Sequence, residues 1–428
     1  MRIRFYNAKI LTMEEGRKVF AGELWTDGDR ISKVVEGAAA EEKLRGISWD
    51  REIDCQGNLL MPGFKDVHTH SSMTFLRSYA DDLPLQEWLT TKIFPMEARL
   101  DEESIYHFGR LAVLEYLTSG ITGICDMYVN LKAVARACID TGMRCRLVSG
   151  LNDFTSSLKQ MEEEYDTYSR ANSLLRYQVG FHAEYTCSKA LLQSVSELAH
   201  DRKVSVFTHL SETKREVAQC VEKYGMTPAM FLDSLGLYDF GGGGYHCIYL
   251  TEEEKELFRQ RDLTVVTNPA SNLKLASGIA PVADYLRRGI QVAIGTDGPA
   301  SNNCLDFFRE MFLVSGLAKA TEEDPTACPA DMVLKMATLN GADIMGFQGL
   351  GALTEGNLAD LIMIDLSQPN MRPLHDVVNN LVYSGSKSNV KMTMIGGKIL
   401  YENGSFTGGI DPEEIYRECE KAFMRIRL

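Results

Sequence analysis

The feature that most constrains the fold is a series of eight short apolar segments that alternate with amphipathic helical stretches. The segments are residues 58–68, 121–128, 143–151, 176–184, 203–212, 243–250, 263–271 and 291–299. Strands that alternate with helices pair in parallel, because each helix carries the chain back to the same end of the sheet. Eight such units predict an α/β fold with a (β/α)8 TIM-like barrel.

A doubly wound open sheet is the competing fold for this pattern. That fold commonly binds dinucleotides through a Gly-x-Gly-x-x-Gly turn at its first helix. No such turn opens the first helix of this chain, so the sequence favours the barrel.

Both ends of the chain differ from the middle. Residues 2–60 and 350–407 contain alternating apolar and polar segments separated by turn pairs such as Asp27-Gly28, a pattern typical of antiparallel strands. We therefore predict a β-sandwich domain built from residues 1–60 and 350–407, a barrel over residues 61–349, and a C-terminal helix over residues 408–428.

Charge and composition narrow the classes of partner. The chain of 428 residues has a formal net charge of −14, which argues against binding to nucleic acid or to an anionic membrane. No apolar run approaches the roughly 20 residues that span a bilayer, and the N-terminus has the pattern of a strand and not of a secretory signal. The ten cysteines are scattered without a Cys-x-x-Cys pair, which indicates reduced thiols in a cytoplasmic protein.

Residues with chemically active side chains gather at the C-terminal ends of the predicted strands. They are His68, His70, Asp126, His182, His209, Glu212, His246, Asn268 and Asp297. In a barrel these ends converge on one face, where the active sites of this fold lie. Five of the eight histidines are thereby brought together, and we interpret the other three, His107, His200 and His375, as structural.

The His-x-His pair at His68 and His70 predicts a metal site. Residues i and i+2 of a strand point to the same side, so both imidazoles can reach one cation. With His209 and Asp297 they form a set of three imidazoles and one carboxylate that suits a divalent metal, with Zn²⁺ favoured and Fe²⁺ or Mn²⁺ as alternatives. Taken singly, each residue also has an ordinary structural interpretation, such as a hydrogen-bonded core histidine or a turn aspartate; the joint pattern favours the metal.

Several motifs resemble the amidohydrolase superfamily. They are "VHTH" after the first strand, "THLSE" at the fifth, "YHC" at the sixth and "GTDG" at the eighth. The longer stretches "HTHSSMTFLRSYADDLPLQEWL", "NPASNLKLASGIAPV" and "IGTDGPASNN" are most similar to its 5'-methylthioadenosine/S-adenosylhomocysteine deaminases. The resemblance extends over essentially the whole chain.

The resemblance implies roles for the catalytic residues. Binuclear relatives carry a modified lysine or a carboxylate at strand four, where this chain has His182, so one metal is expected. Glu212 would shuttle protons, Asp297 would accept a proton from water besides binding the metal, and His246 would orient the nucleophile. As alternatives, Glu212 would only stabilise a helix N-terminus, and His246 would only cap a strand.

The resemblance also implies contacts with substrate. Glu97 would bind the ribose hydroxyls with His182 nearby, Trp88 would wall the pocket or serve as core packing, and Arg146 would bind a homocysteine carboxylate. The loop after Arg146 offers no second arginine, and a carboxylate without a bidentate partner is held poorly. An uncharged 5' group is therefore at least as well supported as that of S-adenosylhomocysteine.

The expected function is metal-dependent hydrolytic deamination of an adenosine-type nucleoside: 5'-methylthioadenosine, S-adenosylhomocysteine, 5'-deoxyadenosine or adenosine. Deamination of guanine, cytosine or a pterin, or triazine-type chlorohydrolysis, stays open, as does a non-catalytic metal-binding barrel. The partner expected is a small-molecule nucleoside, and relatives of this kind often self-associate, which leaves a homo-oligomer open.

Overall fold

Two β-sheets organise the protein, and each takes its strands from a different part of the chain. The computed structural model describes residues 1–39, 46–169 and 172–427. Three stretches covered by the predicted domains lie outside the described residues: 40–45 in the N-terminal segment, 170–171 in the barrel and 428 at the end of the last helix.

Seventeen strands are present in the described ranges. In chain order they are β1 (Arg2–Ile10), β2 (Phe20–Asp27), β3 (Arg30–Glu36), β4 (Arg51–Asp54), β5 (Leu59–Pro62), β6 (Phe64–Thr69), β7 (Ile121–Tyr128), β8 (Arg144–Ser149), β9 (Leu175–Ala183), β10 (Val206–Leu210), β11 (Gly242–His246), β12 (Thr264–Thr267), β13 (Val292–Ile294), β14 (Leu361–Ile364), β15 (Val390–Ile395), β16 (Lys398–Glu402) and β17 (Ser405–Phe406).

Strands β6 to β13 form an eight-stranded parallel sheet whose spatial order is the chain order. A parallel bridge between Thr69 and Asp297 joins its two edges, and the backbone N–H of Asp297 donates to the carbonyl of His68 at 2.9 Å. The sheet is therefore a nearly closed barrel, which confirms the predicted (β/α)8 fold.

The barrel interior is filled by side chains and is not a pore. One apolar cluster takes members from seven of the eight strands and from the helical segment that follows them: Val67, Cys125, Met127, Val148, Phe207, Tyr245, Val266, Ala293, Ile344, Met345, Phe347 and Leu358. This packing supports the residues at the C-terminal face from below.

The first predicted strand, residues 58–68, is two strands in two different sheets. Strand β5 pairs with β14 in the terminal sheet, and β6 begins the barrel two residues after β5 ends. The chain crosses between the sheets at Gly63, where a Cβ atom would lie 2.1 Å from Cγ2 of Thr122. Only glycine allows this close approach.

The second sheet joins the two ends of the chain, as predicted. Its order is β17, β16, β15, β14, β5, β1, β2 and β3, with β4 paired to β1. The junction is the antiparallel pair of β5 and β14, in which Leu59 faces Ile364 and Pro62 faces Leu361. The positions assigned to the domain boundaries stay a prediction.

Helices connect the strands and cover the barrel. The α-helices are Leu85–Trp88, Phe94–Glu97, Glu102–Thr118, Leu131–Thr141, Leu158–Tyr168, Lys189–Arg202, Lys214–Tyr224, Pro228–Ser234, Glu252–Gln260, Pro269–Lys274, Val282–Arg287, Phe307–Glu322, Ala330–Lys335, Gly341–Met345, Val377–Tyr383 and Pro412–Arg427. Short 3-10 or π segments are Ser71–Leu76, Leu89–Ile93, Glu184–Thr186, Met336–Asn340, Pro369–Met371 and Lys387–Asn389. Within the described ranges, none of the helices has the length and apolar character needed to cross a bilayer.

Candidate metal-dependent active site

The C-terminal ends of the barrel strands bring four possible metal ligands together. His68 on β6, His209 on β10, His246 at the end of β11 and Asp297 after β13 each offer one ligand atom, and these atoms lie within 4.8 Å of one another. All four residues are buried. The arrangement suits one cation held by nitrogen and oxygen ligands.

His70 joins this cluster through the carboxylate. Its Nε2 lies 3.1 Å from Oδ1 of Asp297, and Nε2 of His68 lies 3.5 Å from the same oxygen. The ring centroids of His68 and His70 are 4.9 Å apart, as the i, i+2 spacing leads us to expect. The structure thus brings all four residues of the predicted ligand set together and adds His246 beside them; which of these residues bind the metal stays a prediction.

The His68 ring carries two nitrogens that the described residues leave without a hydrogen bond. Both atoms are buried, and the ring is held by stacking on Tyr245 at a centroid distance of 3.8 Å. Burial lowers the pKa of His68 to about 3, so the ring is neutral. An unsatisfied buried polar group costs about 1–3 kcal/mol, and a cation bound to one nitrogen would remove that penalty. The donor set therefore fits a divalent metal.

The other three histidines present Nε2 to the centre of the site. Their Nδ1 atoms each lie 2.6 Å from an oxygen: His70 from the Met127 carbonyl, His209 from the His182 carbonyl, and His246 from Oδ1 of Asn272. An oxygen acceptor requires the proton on Nδ1, which leaves the lone pair of the neutral ring on Nε2. These contacts select the tautomer that a metal ligand or a proton acceptor needs.

Asp297 is oriented by two serines. Its Oδ2 accepts hydrogen bonds from the hydroxyls of Ser271 at 2.6 Å and Ser301 at 2.8 Å, which leaves Oδ1 for the histidines. Burial alone would raise the pKa of Asp297, but the rings of His68 and His70 outweigh it and hold this pKa well below its usual value. Asp297 is therefore an ionised carboxylate.

Two site residues have an unfavourable backbone conformation. The φ angles of His246 and Asp297 are 69° and 58°, in the left-handed region that costs a non-glycine residue about 1–3 kcal/mol. Such strain persists only where the surroundings hold the residue in place, and it is concentrated at functional sites.

Glu212 lies one loop beyond His209, with its two carboxyl oxygens in different surroundings. Oε1 accepts from the Ser277 hydroxyl at 2.8 Å, while Oε2 lies 3.9 Å from Nε2 of His246. The backbone N–H of Glu212 donates to Oε2 of Glu216 at 2.8 Å, which fixes the loop. Burial raises the pKa of Glu212, which brings its proton exchange closer to neutral pH.

A cavity opens above this cluster, and the helical run of residues 85–97 forms one of its walls. This run supplies Leu85, Trp88, Leu89, Phe94 and Glu97 to the lining. The Trp88 ring is buried, and its Nε1 donates to the carbonyl of Ala80 at 2.9 Å. Trp88 is thus both a wall of the cavity and part of the core, which joins the two alternatives from the sequence.

His182 and Glu97 also line the cavity. The His182 ring lies 4.8 Å from that of His209 and 6.3 Å from that of Phe94, so it stands between the metal cluster and the helical wall. Burial lowers the pKa of His182 to about 4 and raises the pKa of Glu97 to about 7. Both groups therefore share one cavity with the histidine and aspartate cluster.

Arg146 is not among the residues that line the cavity. Its guanidinium donates to the carbonyl of Ile344, in the segment beneath the barrel core. Arg146 lies three residues before the end of β8, whereas the cavity is lined by Gly150, just beyond that end. Whether Arg146 contacts substrate stays a prediction, and its contact with Ile344 places the guanidinium outside the lining of this cavity.

Sequence reasoning missed the residues that orient the catalytic groups. These are Ser271, Asn272, Ser277, Ser301 and Glu216. Three of them lie in the stretch "NPASNLKLASGIAPV", which contributed to the resemblance without being assigned a role. The excess of small polar residues next to the end of a buried strand was the available signal.

Comparison with known proteins gives a consistent result. The model of the amidohydrolase family matches residues 59–400. A 5-methylthioadenosine/S-adenosylhomocysteine deaminase of Caldanaerobacter subterraneus subsp. tengcongensis is 37% identical over 429 residues, 98% of each chain. One of the same name from Moorella thermoacetica is 42% identical over 382 residues, 88% of this chain and 89% of that one.

Among solved structures, an adenosine deaminase from Xanthomonas campestris with bound zinc has a similar fold. The TM-score is 0.93 and the sequence identity is 33%, over 100% of this chain and 98% of that chain. The similarity therefore includes both the barrel and the terminal sheet.

Proposed function

Because this chain belongs to the amidohydrolase family, we propose that it deaminates an adenosine-type nucleoside at C6 to the inosine analogue and ammonia. Its class, a hydrolytic aminohydrolase, follows from the family and from near-full-length relatives that are named deaminases. One observation carries the proposal: a single cavity contains the Glu212, His246 and Asp297 cluster together with Glu97 and His182.

His68, His70, His209 and Asp297 would hold one divalent metal, and zinc is the proposed ion. The neutral imidazole of His68, the ionised carboxylate of Asp297 and the zinc in the Xanthomonas campestris structure support this choice. When bound, such an ion supplies Lewis acidity that makes hydroxide available as a nucleophile near neutral pH.

Glu212 and Asp297 would move the protons of the reaction. The Glu212 carboxyl group, held through Oε1 by Ser277, would protonate the adenine ring at N1 and so make C6 electrophilic. Oδ1 of Asp297 would take a proton from the attacking water and deliver it to the amino group. The C6–N bond then breaks and the group leaves as ammonia, while the second proton of the water would return to Glu212 as the C6 carbonyl forms, so that one water is consumed.

His246 and Glu97 would position the reactants. With Nδ1 of His246 committed to Asn272, its Nε2 would accept a hydrogen bond from the attacking water and orient it towards C6. The Glu97 carboxylate would accept hydrogen bonds from two ribose hydroxyls. A bare base would leave this half-buried carboxyl group unpaired, which favours a nucleoside over guanine or cytosine.

The test is ammonia release by purified, metal-replete protein. The substrates are adenosine, 5'-deoxyadenosine, 5'-methylthioadenosine, S-adenosylhomocysteine, guanine and cytosine. Turnover of the adenosine compounds, with conversion to the inosine analogues, is the expected result. Turnover of bare bases alone would overturn the nucleoside assignment. Absence of ammonia release from all six compounds would overturn the proposed activity. Metal analysis of the same sample identifies the ion.

A further inference from the structure

Among the residues that the structure describes, the cavity is lined by acidic side chains but not by the long basic ones that would pair with a carboxylate. Three carboxyl groups line it, those of Glu97, Glu212 and Asp297, and within the described residues no lysine or arginine does. In the proposed mechanism, Glu212 and Asp297 act on the adenine base and the attacking water. Glu97 is thus the charged group beside the part of the substrate that extends away from the metal.

The nearest cationic residues along the chain are committed elsewhere or exposed. Arg99 donates to the carbonyl of Ile426 at 3.1 Å, and Lys92 on the helical wall is exposed to solvent. Lys274 lies 2.5 Å from a carboxylate oxygen of Asp81 and 3.0 Å from the carbonyl of Ala300.

An adjoining groove contains Lys214 and Arg215, but it borders the wrong part of the cavity. It meets the cavity at Leu85 and Leu275, next to Ser277, which is bonded to Glu212 at the base end. Glu97 and His182 are not part of its lining. An anionic tail attached to the sugar would therefore not reach these cations through the sugar end of the cavity.

Apolar and aromatic side chains line the cavity beside Glu97 and His182. Phe94 and Tyr185 flank His182 at centroid distances of 6.3 and 6.1 Å, and Leu89 and Val129 line the same cavity. Apolar surface of this kind binds a methylthio or methyl group but gives a carboxylate no compensation for its lost water.

Asn152 and Thr155, the two side chains of the loop after β8 that line the cavity, hydrogen-bond to each other and to their own loop. Nδ2 of Asn152 donates to the carbonyl of Gly150 at 3.1 Å and to Oγ1 of Thr155 at 2.8 Å. Oδ1 of Asn152 accepts from the backbone N–H groups of Phe154 and Thr155. The loop therefore offers an anion neither charge nor a free side-chain amide.

We infer that this site selects nucleosides whose 5' substituent is small and uncharged, such as 5'-methylthioadenosine or 5'-deoxyadenosine, and discriminates against the charged homocysteine tail of S-adenosylhomocysteine. This inference rests on the proposed function and narrows its substrate class. The homocysteine carboxylate would lie near Glu97 without a cationic partner and against an apolar wall, and both effects would weaken its binding.

The first measurement is kcat/KM for deamination of both compounds under identical conditions. An unpaired charge in a desolvated site weakens binding strongly, so kcat/KM for 5'-methylthioadenosine should exceed that for S-adenosylhomocysteine by about tenfold or more. Decarboxylated S-adenosylhomocysteine, which keeps the tail and its ammonium group but lacks the carboxylate, separates the effect of the carboxylate from that of size. It should be deaminated faster than S-adenosylhomocysteine itself.

An introduced cation should reverse the preference. Thr155 is exposed and lines the cavity, so Thr155→Arg places a guanidinium at its wall. We expect this variant to raise kcat/KM for S-adenosylhomocysteine relative to 5'-methylthioadenosine by at least about fivefold. Phe154→Arg is the matched control: Phe154 is 81% exposed on the same loop and does not line the cavity, so the same added charge should leave the ratio unchanged.

The outcomes separate the two proposals. If both nucleosides are deaminated with equal kcat/KM, or S-adenosylhomocysteine is preferred, the selectivity inference is wrong and the proposed function stands. If neither nucleoside is deaminated, the proposed function is wrong and the inference is lost with it. An equal change of ratio in Thr155→Arg and Phe154→Arg would show that net charge, and not the cavity wall, controls the preference.

Discussion

The Ser277 hydroxyl donates a hydrogen bond of 2.8 Å to Oε1 of Glu212, and Oε2 of the same carboxyl group points towards His246 at 3.9 Å. One oxygen is held still while the other faces the histidine cluster. In the proposed mechanism this arrangement would let Glu212 carry a proton between two positions on the substrate without losing its orientation.

Glu212→Gln tests this role. Glutamine keeps the shape of the side chain and the hydrogen bond from Ser277, but it cannot carry a proton. We expect kcat to fall by about 10²–10⁴-fold with the metal content unchanged. The checks are ammonia release and metal analysis of the same preparation. Glu253→Gln, at an exposed position of the helix Glu252–Gln260, should behave as wild type. Unchanged turnover in Glu212→Gln would end the assignment.

Asn272 is expected to position His246 without touching substrate. Loss of the acceptor for Nδ1 in Asn272→Ala frees the ring to rotate and to change tautomer, so we expect kcat to fall by about 10–100-fold. Asn272→Asp retains an oxygen acceptor and should recover most of the lost kcat. A general packing role would predict equal losses in both variants, together with a lower Tm; steady-state kinetics and thermal unfolding of the pair distinguish these cases.

Glu97 predicts a pH dependence of substrate binding. Burial raises the pKa of this carboxyl group to about 7, so it loses its proton near neutral pH. Only the ionised form accepts hydrogen bonds from both ribose hydroxyls, and KM for a nucleoside should therefore rise as the pH falls through that pKa. The measurement is KM from one pH unit below to one unit above it. Glu97→Gln should lose this dependence, and a wild-type profile retained in Glu97→Gln would assign it to another group.

Metal removal should affect stability as well as activity. The buried nitrogens of His68 lack hydrogen bonds in the described structure, and a bound ion that satisfies one of them stabilises the folded state. We expect chelation to abolish ammonia release and to lower Tm, and one equivalent of zinc to restore both. His375→Ala, which alters an imidazole outside the predicted strand ends, should respond to chelation and zinc as the wild type does. If chelated protein keeps its activity, the metal-dependent mechanism is wrong.

The sequence predicted the barrel, the terminal sheet and the catalytic cluster because these depend on periodicity and on where polar residues follow strands. The turn pair Pro62-Gly63 marks a break between β5 and β6, but only the pairing of β5 with β14 shows that the chain changes sheets there. The sequence also could not show how far the Arg146 side chain lies from the cavity. Alternation along a strand assigns a residue to a face, but its depth in the barrel depends on register and stagger, which only the paired strands define.

The hydrogen bonds that orient Asp297 and Glu212 could not be predicted from the sequence. Ser271 and Ser277 are 26 and 65 residues from the carboxylates they contact, and hydroxyl groups at such separations give no local signal. Ser301 is only four residues after Asp297, yet that spacing suggests a helix contact and not a bond across a turn. The hydrogen bond of such a serine can be predicted only after the fold of the strands has placed its acceptor nearby.

The buried ion pair between Arg144 and Asp360 should control the stability of the contact between barrel and terminal sheet. Nε and Nη2 of Arg144, the first residue of β8, donate to the two oxygens of Asp360 at 2.6 and 2.9 Å, and Asp360 also accepts from the N–H of Gly396 at 2.7 Å. Burial would raise the pKa of Asp360, but Arg144 outweighs it and lowers this pKa. Both partners are thus ionised, and both oxygens of Asp360 accept hydrogen bonds from Arg144.

Removal of one partner leaves a buried charge without compensation. We expect Arg144→Met to destabilise the fold by about 3–5 kcal/mol and to lower Tm by several degrees. Arg144→Met combined with Asp360→Leu should be less destabilised than Arg144→Met alone, since no uncompensated charge then remains. Arg259→Met is the matched control, because Arg259 pairs with Glu256 at a surface site where its side chain is 52% exposed, and such pairs contribute about 0–1 kcal/mol. Thermal unfolding followed by circular dichroism ranks the variants. Equal Tm values for Arg144→Met and Arg259→Met would mean that the buried pair contributes no more than a surface contact.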